Sequence, residues 1–224
     1  MLPERINDLK GHIVQFAAHI ENMKDKSIRG LVTRDAELLR QVLEDDETRA
    51  NNFELEIDEI CTNLIAQFQP MAKDLRTILV IYNMNAALER MGDHSVNIAG
   101  SARLLLQVPP IKPFLDIPRM NDLVKIMLSD VITSFINEDA PLALDVCGRD
   151  KIIDGLRDQI LRELLTFMPA NPSIIGGCIQ ILRIAENLER IADLTTNISE
   201  NILYMSEGKV IKHHHCQDDK EDKK

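Results

Sequence analysis

Apolar residues near the start of the chain fall at Ile6, Leu9, Ile13, Phe16, Ala17 and Ile20, spaced by threes and fours. That is the period of one helix face, and Pro3 is tolerated in an opening turn. Gly30 predicts an interruption, after which the pattern resumes through Leu31, Leu38, Leu39, Val42 and Leu43. A second helix is predicted over residues 46–68, with Phe53, Ile57, Ile60, Leu64 and Ile65 on one side. Pro70 predicts a turn, and a long helix follows over residues 71–106. Residues 108–113 hold three prolines in six positions and cannot be helical. The helical pattern returns near Pro118 and continues through Leu123, Ile126, Met127, Val131 and Phe135. Another helix is predicted over 150–167, a break at Pro169 and Pro172, and a last long helix over 173–206.

The two halves share this plan, and their long helices share residues. Leu-Glu-Arg-Met-Gly-Asp-His-Ser-Val-Asn-Ile at 88–98 aligns with Leu-Glu-Arg-Ile-Ala-Asp-Leu-Thr-Thr-Asn-Ile at 188–198, identical at six of eleven positions. Internal duplication fixes architecture before other signals are weighed. The expected fold is all-α: two tandem three-helix bundles related by internal duplication. The first repeat spans residues 1–107 and a Pro-rich linker 108–117. The second repeat spans 118–208, and a disordered polar tail covers 209–224.

Composition narrows the picture. Hydrophobic residues make up 45% but aromatics only 4%, so the core must be aliphatic, which suits helices better than strands. Four dispersed cysteines form no Cys-x-x-Cys pair and read as reduced thiols, three of them in the core. The first residues lack the basic and apolar regions of a signal peptide, and no apolar run approaches a membrane span. A cytoplasmic protein without direct membrane insertion is expected. The net charge of −10 opposes nucleic-acid binding and suits cation binding or docking to a basic partner surface.

The repeated segment carries the candidate chemistry. At about 100° per residue, positions four apart step only about 40° around a helix. Glu189, Asp193 and Asn197 therefore form one polar stripe, with Glu186 and Glu200 inside it. Glu89, Asp93 and Asn97 form the equivalent stripe, flanked by Ala86 and Gly100 instead. Carboxylates at this spacing can share one cation, and hard oxygen ligands suit iron(II), manganese or magnesium. Like charges four apart cost an isolated helix about 0.2–0.5 kcal/mol, so keeping the pair twice invites an explanation. The alternative is a solvated face on which Arg90 and Arg190 neutralise the acids three residues on. Further ligands would come from Asp150 and Asp154 in the second repeat and from Asp46 in the first; Asn51 aligns with Asp154, leaving the first repeat one carboxylate poorer.

These repeat sequences resemble the paired signatures of the PhoU family. So do Gln-Pro-Met-Ala-Lys-Asp-Leu-Arg-Thr-Ile at 69–78, Pro-Phe-Leu-Asp-Ile-Pro-Arg-Met at 113–120 and Ile-Leu-Tyr-Met-Ser-Glu-Gly-Lys-Val-Ile-Lys-His at 202–213. The resemblance covers residues 3–213. It implies a two-repeat bundle that represses the phosphate-starvation response when phosphate is plentiful. Such a protein links the ATPase subunit of the high-affinity phosphate ABC transporter to a sensor histidine kinase, and many members form homodimers. It also implies iron, zinc or another divalent metal at Glu89, Asp93, Glu189 and Asp193, with Asn97 and Asn197 one turn further on. Asn51 departs from the aspartate often found there.

Other candidates are weaker. His213, His214, His215 and Cys216 are good ligand types but consecutive in a tail, where they fix no geometry. His94 adjoins Asp93, but its counterpart is Leu194; His12 and His19 read as surface or interface residues. No Gly-rich phosphate loop or Gly-x-Ser-x-Gly elbow occurs, and the Glu-x-x-His pairs of di-iron bundles are absent. A regulator without catalytic activity is expected, with a metal-storage or metal-buffering bundle as the alternative.

Overall fold

The computed structural model describes residues 1–169 and 171–207, and among these every regular element is helical. The first repeat contains α1 (Leu2–Thr33), α2 (Ala36–Arg40), a widened π segment (Gln41–Asp46), α3 (Glu47–Phe68) and α4 (Ala72–Leu106). The second contains α5 (Asp116–Asn137), α6 (Ala140–Gly148), α7 (Asp150–Phe167), a 3₁₀ turn (Pro172–Ile174) and α8 (Ile175–Glu207). The expected tandem three-helix bundles are present, each with its middle helix extended by a short N-terminal piece. The polar tail with His213, His214, His215 and Cys216 lies outside the described residues.

Local chemistry repeats with the fold. α1 and α5 each end on a left-handed residue, Arg34 at φ 55° and Glu138 at φ 53°. Each is followed by an aspartate that caps the next helix. Asp35 accepts from the Glu37 and Leu38 amides, and Asp139 accepts from that of Leu142. These corners set the correspondence between α1 and α5 at 138 − 34 = 104 residues. The nine buried residues of α5 then fall on buried residues of α1 without exception. Burial thus confirms the duplication where sequence identity is low.

Two details depart from the pattern-based expectation. Gly30 does not interrupt α1, which runs on to Thr33. Glycine is there because Leu39 packs against the backbone: a β-carbon would lie 2.6 Å from its Cδ2. The apolar pattern predicts no α6, because only Ala143 and Val146 of its nine residues are buried, too few for a period.

The repeats join along α4 with α8 and α1 with α5. His94 bonds Asn187 while Leu105 approaches Gly177, so numbers fall along one helix as they rise along the other; the pair is antiparallel. α1 and α5 are antiparallel too, with Lys10 over the Phe135 ring and Lys24 beside Asn121. Lys24 is fully buried. Its ammonium donates to the Asn121 side chain (2.6 Å) and to Asp25 (2.8 Å). Asp25 also accepts from Asn121 Nδ2 and from Lys125, so every charge in the seam has a partner.

The core is aliphatic, with Phe16 and Phe135 its largest aromatic members. Cys61 and Cys178 are buried and Cys147 half-buried. His19 is buried, with Nε2 2.9 Å from the Asp46 carbonyl oxygen. No described helix is long and apolar enough to cross a membrane.

Candidate functional site

In α8, Leu188, Ile191 and Ala192 are fully buried. Their packing turns Glu189 and Asp193 towards the groove beside α7. The Glu189 side chain is 14% exposed and that of Asp193 36%. Asp150 opens α7 and Asp154 lies one turn later. The three other acids act on Asp150: burial first, then the charges of Asp193, Asp154 and Glu189, push its carboxyl up to about 6. Asp150 Oδ1 is buried without a hydrogen-bond partner. Burial also raises Glu189 and Asp193, against the opposing charges of Arg190 and Arg157. Arg190 reaches Asp193 at 3.3 Å, the i+3 neutralisation anticipated by the solvated-face alternative.

The first repeat builds a thinner version of the same groove. Burial raises the Glu89 carboxyl, followed by the charges of Asp93 and Glu54, with Arg90 opposing. Asn85, buried in α4, donates to the Glu54 carbonyl (2.9 Å) and to Asp58 Oδ1 (2.8 Å), fixing α3 against α4 at this level. Asp46 does not join the stripe; its carboxylate pairs with Lys26 at 2.7 Å. Asn51 and Asp93 are exposed, as are Asn97 and Asn197 at the far ends of the stripes.

Sequence reasoning missed Glu54. Its counterpart, one turn on from the Asn51–Asp154 match, is Arg157. The two grooves therefore differ in sign at one position: an acid facing Glu89, a base facing Glu189 and Asp193. The signal was available, since Glu54 follows Asn51 by three residues and shares its helix face.

Both grooves suit a cation in residue type, for their donors are carboxylate oxygens and their acids raise one another. The second fits better, having four carboxylates and an unpartnered buried oxygen at Asp150. Among the described residues, however, no three His, Cys, Asp or Glu side chains converge into a closed set of metal ligands. Any ion would have to draw the carboxylates together.

A family model described as PhoU domain matches twice, at residues 13–102 and 117–202. A phosphate-specific transport system accessory protein PhoU homolog of Aquifex aeolicus is 36% identical over 96% of this chain and 97% of its own length. A second such homolog, from Thermotoga maritima, is 32% identical over 96% of this chain and 91% of its own. Among solved structures, PhoU from Pseudomonas aeruginosa superposes with a TM-score of 0.89 at 30% identity, covering 93% of this chain and all of that one. The phosphate transport system regulatory protein PhoU from Streptococcus pneumoniae gives 0.87 at 25% identity, over 95% of this chain and 100% of its own.

Proposed function

The chain belongs to the PhoU family, and from that premise we propose that it regulates phosphate uptake as an accessory protein of a phosphate-specific transport system. In this reading it is a cytoplasmic adaptor, working as a homodimer. It links the ATPase subunit of the high-affinity phosphate ABC transporter to a sensor histidine kinase and keeps the phosphate-starvation response off when phosphate is plentiful. It performs no catalysis. The observation that carries the reading is the family match in both halves, with relatives named as transport accessory proteins aligned over nearly the whole chain.

The acidic grooves serve this role in one of two ways. As bare carboxylates they present a negative face to basic patches on a partner. Alternatively, Glu189, Asp193, Asp150 and Asp154, and less completely Glu89 and Asp93, hold iron, zinc or another divalent ion. A bound cation would supply positive charge that neutralises the groove and fixes α7 against α8. A metal-buffering bundle is the second reading, and the unpartnered Asp150 oxygen favours it.

Deleting the chromosomal gene and following a phosphate-starvation reporter in phosphate-rich medium tests the regulatory role. Derepression is expected, and unchanged repression would count decisively against it. Metal content, measured by mass spectrometry on protein purified without chelators, tests the grooves. It is compared with a variant carrying Glu89, Asp93, Glu189 and Asp193 all changed to Ala. Metal in the first and not the second is the outcome expected of true sites; several ions per chain with no reporter effect would favour buffering.

A further inference from the structure

The duplication leaves an unusual pattern at the seam between repeats. The correspondence of 104 residues places Lys24 of α1 on Leu128 of α5, and Asn121 of α5 on Ala17 of α1. The contact Lys24–Asn121 therefore has a symmetry mate, Leu128–Ala17, on the same antiparallel register, since 24 + 121 and 17 + 128 are both 145. One end of the seam is polar and bonded; the other has two buried apolar residues.

The second seam repeats the arrangement. His94 Nδ1 lies 2.8 Å from Asn187 Oδ1 across α4 and α8. With the correspondence of 100 residues, the mate of this contact is Leu194 with Ala87, and again 94 + 187 and 87 + 194 agree at 281. Leu194 and Ala87 are both buried. Two independent helix pairs thus each carry one polar contact and one apolar contact where the duplication began with two alike.

This matters because a duplicated chain has a competing structure. The faces joining the repeats are related by the duplication, so the first repeat of one molecule can meet the first repeat of another, and likewise the second. In a first-to-first pairing, Lys24 would face Ala17 twice and His94 would face Ala87 twice. In a second-to-second pairing, Asn121 would face Leu128 and Asn187 would face Leu194. Every like pairing sets a polar group, buried at Lys24 and Asn121 and half-buried at His94 and Asn187, against an apolar residue, with loss of its hydrogen bond across the seam. Only the first-to-second pairing matches polar with polar and apolar with apolar. Single polar contacts in apolar helix seams are a well-attested means of fixing partner and register.

We propose that Lys24–Asn121 and His94–Asn187 form a pairing code that directs the two repeats to fold on each other and bars like repeats of two molecules from joining through the same faces. Self-association of the chain, which rests on the homodimer reading above, then uses other surfaces.

The test removes the code while keeping the shape. The variant Lys24→Leu, Asn121→Ala, His94→Leu, Asn187→Ala gives both ends of each seam the same Leu–Ala contact, so the three pairings become equivalent at these contacts. Isotopically light and heavy full-length chains are unfolded together, refolded and cross-linked through lysines. Cross-links joining Lys10 or Lys26 of a light α1 to Lys10 or Lys26 of a heavy α1 are counted. A rise over wild type of at least about tenfold is expected, the factor that about 1.4 kcal/mol of lost discrimination commands. A variant that folds and stays at the wild-type level overturns the proposal. If the fourfold variant loses its helical signal, Lys24→Leu with Asn121→Ala is read in the same way at α1 alone: a rise supports the code and its absence refutes it. A dimer built on other surfaces leaves these like-repeat cross-links unchanged, so failure of the homodimer reading is distinguishable from failure of the code.

Discussion

Replacing Asp150 by asparagine removes one charge from the more crowded acidic groove and nearly preserves the side chain's size. The carboxyl is pushed from 3.8 to about 6, chiefly by burial and then by Asp193, Asp154 and Glu189. The folded state therefore holds this proton to higher pH than the unfolded state, and ionising it opposes folding. That opposition is absent below about pH 3.8, grows across the interval and is complete above about pH 6. Full linkage over the interval corresponds to about 3 kcal/mol. The side chain is only half-buried, so solvent screening reduces this to about 1–1.5 kcal/mol. Asp150→Asn is thus expected to raise the melting temperature by about 2–4 °C near pH 8, and to leave it unchanged near pH 4. Thermal melts by circular dichroism in the presence of a chelator provide the assay. Adding a divalent ion to the wild type should narrow the gap near pH 8, since the ion replaces the missing counter-charge. A variant less stable than wild type near pH 8 without metal would show that the ionised carboxylate is stabilising, and the reasoning would fail.

Other perturbations test other links. Glu54→Arg gives the first groove the base that α7 carries at Arg157, so the raised Glu89 carboxyl should fall back towards the ordinary range in an NMR titration; an unmoved Glu89 would remove Glu54 from the site. Gly30→Ala should cost about 1–3 kcal/mol in urea unfolding, because its β-carbon would press on Leu39 at 2.6 and 2.8 Å. At Gly100, where nothing lies within 4 Å, the same change should gain about 0.5–1 kcal/mol. Asp35→Ala and Asp139→Ala each remove a helix N-cap and should each cost about 0.5–2 kcal/mol, adding in the double variant because the two corners share no bond.

What could be read from the sequence followed from how each signal is encoded. The long helices have apolar faces of many turns, and their ends at Leu106 and Phe167 fall where prolines follow. Such signals are local and redundant. The pattern puts the corner at Gly30 and not at Arg34, because glycine serves two ends: it terminates helices, and it admits close neighbours within them. Only the position of Leu39 decides between these, and that is a tertiary fact. The stripes were legible for the same reason as the helices, being defined by spacing on one element. Their partners across the groove were legible where an acid opens the facing helix of the better-furnished second repeat. Asp150 and Asp154 were found and Glu54 was not, since its counterpart Arg157 carries the opposite charge.

Lys24 shows where reading along the chain must stop. It occupies a position whose neighbours Ile20, Met23, Ile28 and Leu31 are all buried, so the apolar period treats it as a lapse at the edge of a face. Its meaning lies 97 residues away at Asn121, and the helix spacing contains no trace of that pairing. A buried ammonium without partners would lower stability by several kcal/mol, so its retention requires the Asn121 and Asp25 bonds to exist in the folded state. Burial itself depresses the Lys24 pKa and the neighbouring Asp25 charge opposes that fall, so in the docked seam the ammonium depends on its bonds to Asp25 and Asn121. A polar residue on an otherwise apolar face of a duplicated helix, matched by an apolar residue in its twin, is therefore a signal in its own right. It marks the positions at which two once-equivalent halves have been made to recognise each other.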